Sequence, residues 1–243
     1  MQLEAVLELE YATLFDHDPD GRLAPVDRSG NPAPDLTIGR TDGAVVHRLR
    51  SDLPDGLAAE LTGFAASESV TGSLEGSPRF DREYRRLLGL GDTTPEVYVA
   101  FVIEDGRPED EPPEGPVVSA LEGQPEAALR EFPGLVTDLE RRLPGFAVLR
   151  DGKAVAVAFS SRSVAGAAEA GVETLPAYRG RGYATAVTAA WAEAVRRSGR
   201  VAFYSAAAGN AASLAVGRRL AGAPYAVMTH YRRPEPAGDR PAR

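Results

Sequence analysis

The chain has 243 residues, 43% of them apolar, enough for one large folded domain or two small ones. Its net charge of −8 disfavours broad nucleic-acid binding, because phosphate neutralisation needs a surplus of Lys and Arg. The absence of cysteine removes disulfides, thiolate metal sites and a cysteine nucleophile, and no apolar run is long enough to span a bilayer.

Residues 3–15 carry apolar side chains at helical spacing and predict a helix. No basic region precedes an apolar stretch there, so no secretory leader is expected and the default compartment is the cytoplasm. Asp16, Asp18 and Asp20, with Asp27 at the twelfth position, begin like a calcium loop. Pro19 and Pro25 interrupt it, and an acidic turn is the better reading. Residues 36–38 and 44–49 read as strands joined through Asp42-Gly43, a dipeptide that favours the positive φ angles of a tight hairpin. A helix opening at 51–54 places Leu57, Leu61 and Phe64 on one face, and another helix covers 79–90. The strand at 97–103 is apolar throughout and predicts cover on both faces. The N-terminal half, residues 1–105, is therefore α+β, and is expected to pack on the second half and help enclose its site. Residues 106–116, acidic and proline-rich, read as an exposed linker.

After the linker the pattern is cleaner. A short strand at 117–121 is followed by helical segments at 125–130 and 135–142. Strands at 146–149 and 154–159 are joined by Arg150-Asp151-Gly152-Lys153, a hairpin signal. A third strand, 167–175, runs through Pro176 into Arg179-Gly180-Arg181-Gly182. The next helix sets Val187, Ala190, Trp191 and Ala194 on one face, which makes Trp191 a core residue. A strand at 201–205, a helix at 211–220 with Asn210 as N-cap, and a closing strand at 225–231 complete the order βααβββαβαβ. Residues 233–243 have no periodicity and predict a disordered tail. His17, His47 and His230 show no metal-ligand spacing, and His47 and His230 read as strand residues.

The chemistry concentrates where the strand at 167–175 meets the following helix. A helix N-terminus carries unpaired N–H groups and partial positive charge. Gly180 and Gly182, lacking Cβ, allow those groups to converge on phosphate oxygens, and Arg179 and Arg181 add charge at the same place. A diphosphate is one reading. An ordinary glycine turn with two solvated arginines is the other, since short glycine motifs recur by chance.

The stretch Val172-Glu173-Thr174-Leu175-Pro176-Ala177-Tyr178-Arg179-Gly180-Arg181-Gly182-Tyr183-Ala184 resembles motif A of the GNAT superfamily of N-acetyltransferases. Arg179, Gly182 and Ala184 match its Arg-x-x-Gly-x-Ala end, and Asn210 with the helix after it is similar to motif B. The resemblance covers residues 117–232. It implies an α+β fold with a mixed, mostly antiparallel sheet flanked by helices, preceded here by an extra N-terminal half, as in a bacterial branch of the superfamily. It also implies direct transfer of an acetyl group from acetyl-CoA to an amine of a small molecule or protein, with no metal. The partners are then the cofactor and the amine, with no nucleic acid or membrane, and the protein is a monomer or homodimer.

Residue by residue, the resemblance places the pantetheine arm between the strands at 167–175 and 201–205, beside Thr174 and Leu175. The pyrophosphate would sit at Arg179, Gly180, Arg181, Gly182, Tyr183 and Ala184, and a strand amide near Leu175 would stabilise the oxyanion. Asn210 and Ser213 would contact the cofactor or hold the loop before their helix. The attacking amine needs a base, and Glu173 and Glu169 share one face of the strand. Glu173 is preferred as the nearer to the expected thioester, and a polar solvent-facing strand is the plain alternative. One departure stands out: many members carry a Tyr seven residues after the motif B Asn as general acid, and Gly217 occupies that position. Tyr204, Tyr225 or Tyr231 would have to substitute, or the thiolate leaves unassisted. A non-catalytic acyl-CoA-binding regulatory module is the second reading.

Overall fold

The structure is a computed structural model and describes residues 2–26, 30–70, 74, 76–104 and 116–233. The linker expected at 106–116 and the tail at 233–243 lie outside these residues except at Pro116 and Arg233, as does Asp27 of the acidic turn.

In chain order the elements are α1 (Leu3–Leu14), β1 (Leu36–Arg40), β2 (Val45–Leu49), α2 (Asp55–Ala65), α3 (Asp81–Leu87), β3 (Glu96–Val102) and β4 (Val118–Ala120). There follow α4 (Pro133–Val136), β5 (Gly145–Arg150), β6 (Lys153–Ser163), β7 (Ala167–Thr174), α5 (Tyr183–Arg197), β8 (Val201–Ala207), α6 (Ala211–Ala221) and β9 (Ala226–Tyr231). The expected helices at 125–130 and 135–142 are short 3-10 turns, Glu126–Leu129 and Leu139–Arg142, on either side of α4. Pro125, Pro133, Gly134 and Pro144 punctuate this stretch too often for a continuous α-helix.

Two compact units form, Met1–Tyr98 with Ala226–Arg243, and Val99–Tyr225. In the first, β1 pairs antiparallel with both β2 and β9. The core gathers Leu36, Ile38, Leu49, Leu61, Tyr84 and Tyr231. Gly39 permits the close approach of α1, because a Cβ there would meet the Tyr11 hydroxyl at 2.5 Å. Buried hydroxyls are paired: Tyr11 with Thr37 at 3.0 Å, Tyr84 to Glu68 at 2.9 Å and Tyr231 to Asp81 at 2.8 Å. The fully buried Asp35 receives Arg50 and Arg233. His230 on β9 is buried between the Phe15 and Tyr98 rings, and burial, assisted by Arg232, pushes its imidazole down to about 3. In the acidic turn Asp18 accepts from the N–H groups of Asp20 and Arg22, a satisfied local turn.

The β1–β2 turn departs from its expected chemistry. Neither Asp42 nor Gly43 has positive φ. The Thr41 hydroxyl accepts from the amides of Gly43 and Ala44 and closes the turn through its side chain.

In the second unit the strand order is β3-β8-β7-β6-β5-β4. β4, β5, β6 and β7 pair antiparallel, and β7 pairs parallel with β8. The sheet is thus mixed and mostly antiparallel, as expected. The β5–β6 hairpin uses its Asp-Gly as expected, with φ of 50° at Asp151 and 73° at Gly152. One face of the sheet carries α5 and α6 over Ala156, Ala158, Ala168 and Tyr204, with Trp191 fully buried and donating to the Ser160 hydroxyl at 3.1 Å. The other face packs Phe159 and Val157 against Leu129, Phe132 and Leu135. Ala100 and Phe101, which point to opposite faces of β3, are both fully buried, as is Ile103 just after it, while Glu96 at its start is exposed. No described helix is long and apolar enough to cross a membrane.

Candidate functional site

β7 and β8 run parallel but pair only from Ala167↔Val201 to Glu169↔Phe203, so the later residues of both strands diverge. Three features meet at the point of divergence. The Glu169 carboxylate reaches across and accepts the Ser205 amide at 2.8 Å and the Ser205 hydroxyl at 2.7 Å. A side chain thereby takes the strand amide that would have continued the ladder. On the other side β6 bulges, with a register shift between Ser160 and Arg162, and the Ser161 hydroxyl donates to the Glu169 carbonyl at 3.1 Å. Gly171 follows, and a Cβ there would strike the Phe159 ring at 2.5 Å, so only glycine lets that ring lie against β7.

Glu169 is 4% exposed, and its Oε2 is buried with no hydrogen-bond partner. Burial pushes the carboxyl up to about 7, against the opposing pull of the two Ser205 donors. Glu173 lies on the same face by alternation, opposite Val157, and is exposed. Thr174 holds a second buried side-chain oxygen without a partner, Oγ1. The Leu175 amide donates to the Val155 carbonyl at 2.9 Å, which turns it into the sheet, while the Thr174 carbonyl faces outward and accepts Arg179 Nε at 3.3 Å.

Beyond Leu175 a single turn, Pro176–Tyr178, leads to the glycines. Gly180 and Gly182 have φ of 73° and 76°, and the space where a Cβ would stand is open at both. Gly182 is the N-cap of α5, no side chain caps the helix and no acidic residue sits in its first turn. Among the described residues the backbone N–H groups from Gly180 to Thr185 find no acceptor; the first helical bond is from Ala186 to the Gly182 carbonyl. Arg179 and Arg181 are exposed beside this cradle, Arg181 stacking on Tyr178. Tyr183 packs under the first turn, and its hydroxyl accepts two bonds from the Arg150 guanidinium, at 2.9 and 3.2 Å. Motif reading missed Arg150, whose only signal was a basic residue at the end of a strand.

Asn210 caps α6 by accepting the Ser213 amide at 3.1 Å. The Ser213 hydroxyl and the Tyr204 hydroxyl lie 2.6 Å apart, tying β8 to the first turn of α6. Of the three tyrosines considered for the absent general acid, Tyr204 has its hydroxyl at the first turn of α6. The Tyr231 hydroxyl is held by Asp81 in the first unit, and Tyr225 packs on Phe203. At Gly217 the missing side chain is replaced by Phe101, whose ring a Cβ would meet at 2.6 Å. Gly217→Tyr is therefore expected to cost about 3 kcal/mol in denaturant unfolding through overpacking, and Phe101→Ala in the same chain to recover part of the loss. An unaltered midpoint in the single variant would contradict this packing.

Among the described residues no group of His, Asp or Glu is placed to hold a metal ion.

Residues 124–231 match the family model of the GNAT acetyltransferases. That stretch, a little under half of the chain, also carries the glycine cradle and the diverging strands. Solved structures similar to it include a GNAT-family protein from Novosphingobium aromaticivorans, 21% identical over 56% of this chain and 63% of that one, with a TM-score of 0.42. A GCN5-related N-acetyltransferase from Kribbella flavida is 19% identical over 57% of each chain, with a TM-score of 0.40. A GNAT-family acetyltransferase from Colwellia psychrerythraea is 15% identical over 96% of this chain and 98% of that one, with a TM-score of 0.46. The chain thus spans under two thirds of the length of the first two. No curated protein matches it.

Proposed function

We propose that this protein transfers an acetyl group from acetyl-CoA to a primary amine. The observation that carries the reading is the adjacency, on β7 and the turn after it, of an uncapped N–H cradle and a buried carboxylate at the divergence of two parallel strands. The residues fit the cofactor. Backbone amides from Gly180 to Ala184 would take its diphosphate, with Arg179 and Arg181 supplying charge and Arg150 holding Tyr183 beneath them. The diverging strands leave backbone groups of β7 open to an extended pantetheine arm, which would bind like an added strand. Since Leu175 spends its amide on Val155, alternation leaves the amides of Val172 and Thr174 facing away from β6, and one of these would donate to the acyl oxygen as it gains charge. Asn210 and Ser213 then act by holding the first turn of α6 and the Tyr204 hydroxyl.

We assign the base to Glu169 in preference to the exposed Glu173. Its carboxyl titrates near neutrality through burial, and one oxygen is free to take the ammonium proton. The second reading, a non-catalytic acyl-CoA-binding module, draws on Phe101 filling the space at Gly217. Thiol release from acetyl-CoA in the presence of small amines, polyamines, amino acids and peptides separates the two. Release that depends on an amine is expected. CoA binding with no release by any amine would leave only the binding module.

A further inference from the structure

We propose that Ser205 is a positioning residue whose two donors lock one oxygen of Glu169 and leave the other as the proton acceptor. The inference rests on the reading of Glu169 as base and says how this chain makes it one. Ser205 lies two residues past the last β8 residue paired to β7, so its amide points at the gap where β7 has turned away. Its amide and its hydroxyl both donate to Oε1, at 2.8 and 2.7 Å. Two donors on a single oxygen fix the plane of the carboxylate and saturate that side. The remaining oxygen, Oε2, is buried and has no hydrogen-bond partner, the arrangement of an acceptor waiting for a proton.

The charged groups around the carboxylate are few. On β6 the residue opposite is Arg162, whose Nη1 donates to the Ser161 carbonyl. On β8 the neighbour is Tyr204, whose hydroxyl is pushed up by burial and by the carboxylate, and on β7 itself the same face carries the exposed Glu173. α5 packs on the opposite face, over Ala168, Ala170 and Val172. Burial therefore favours the neutral acid, and Ser205 supplies the main opposing pull toward the carboxylate. Without it the Glu169 carboxyl would titrate higher still, and a smaller fraction would be ionised to accept a proton at neutral pH.

The test is a carboxyl titration by carbon-detected NMR of glutamate-labelled protein, with Glu169→Gln identifying the resonance. The wild-type midpoint is expected at about 7. Ser205→Ala, which keeps the amide and removes the hydroxyl, should raise it by about one unit, the size of one hydrogen bond to a charged group. Ser205→Thr should restore it, and Ser205→Cys, a weak donor, should fall between, so the series does not hang on one variant folding. The acid limb of kcat for thiol release should move with the midpoint, while KM for acetyl-CoA stays fixed. An identical midpoint in the wild type, the Ala variant and the Cys variant overturns the proposal. Full turnover in Glu169→Gln overturns the base reading instead, and the titration series still reports on Ser205.

Discussion

Replacing Gly180 and Gly182 together by glutamate is expected to abolish CoA binding in calorimetry. Both glycines hold left-handed backbone, and side chains there cost about 1–2 kcal/mol each in conformation. Nothing stands within 4 Å of either Cβ position, so the loss would not arise from collision with the protein. It would arise from the turn relaxing away from the shape that gathers its amides, and from two carboxylates beside the diphosphate. Gly152→Glu is the control. It too has positive φ, 73°, but sits in the β5–β6 hairpin and should leave the affinity intact. Unchanged affinity in the double variant would remove the cradle from the proposed site.

Glu169→Gln is expected to lower kcat for thiol release by about 10²–10⁴-fold, with acetyl-CoA affinity little altered, because a base acts on the amine proton and not on the donor. Glu173→Gln is the paired measurement. If it carries the loss and Glu169→Gln does not, the base is the exposed residue nearer to the expected thioester. Stability gives an independent reading. In the folded chain the Glu169 carboxyl is raised from 4.5 to about 7 by burial, so the fold binds its proton more tightly than the unfolded chain does. That contribution is full below about 4.5 and is lost as pH rises through 7. The Gln variant, neutral throughout and able to accept both Ser205 donors, should therefore melt several degrees above wild type at pH 8, with the gap closing toward pH 5. A gap that stays constant with pH would mean that Glu169 does not titrate in that range.

Local chemistry was legible in the sequence by itself. Val172 to Ala184 announced a strand, a proline stop and a glycine turn opening a helix, because each of those depends only on neighbouring residues. The same holds for Asp151-Gly152, where positive φ is intrinsic to the dipeptide, and for Asn210, whose side chain reaches an amide three residues on. By alternation the sequence also placed two glutamates, Glu169 and Glu173, on one face of a strand. Only the tertiary structure separated them, because burial is decided by what packs across a strand. Glu169 lies where a β6 bulge and the end of the β8 ladder coincide, and Glu173 lies beyond it in the open. Ser205 carried no motif; it matters through a contact with Glu169, 36 residues away along the chain. Phe101 and Gly217 fit one another although 116 positions separate them, which no local pattern encodes. Asp42-Gly43 shows the converse, a strong local preference overridden when the Thr41 hydroxyl supplied a different set of hydrogen bonds. Residues bound by the covalent chain state their geometry in the sequence, whereas residues joined by packing acquire theirs only when the strands find their partners.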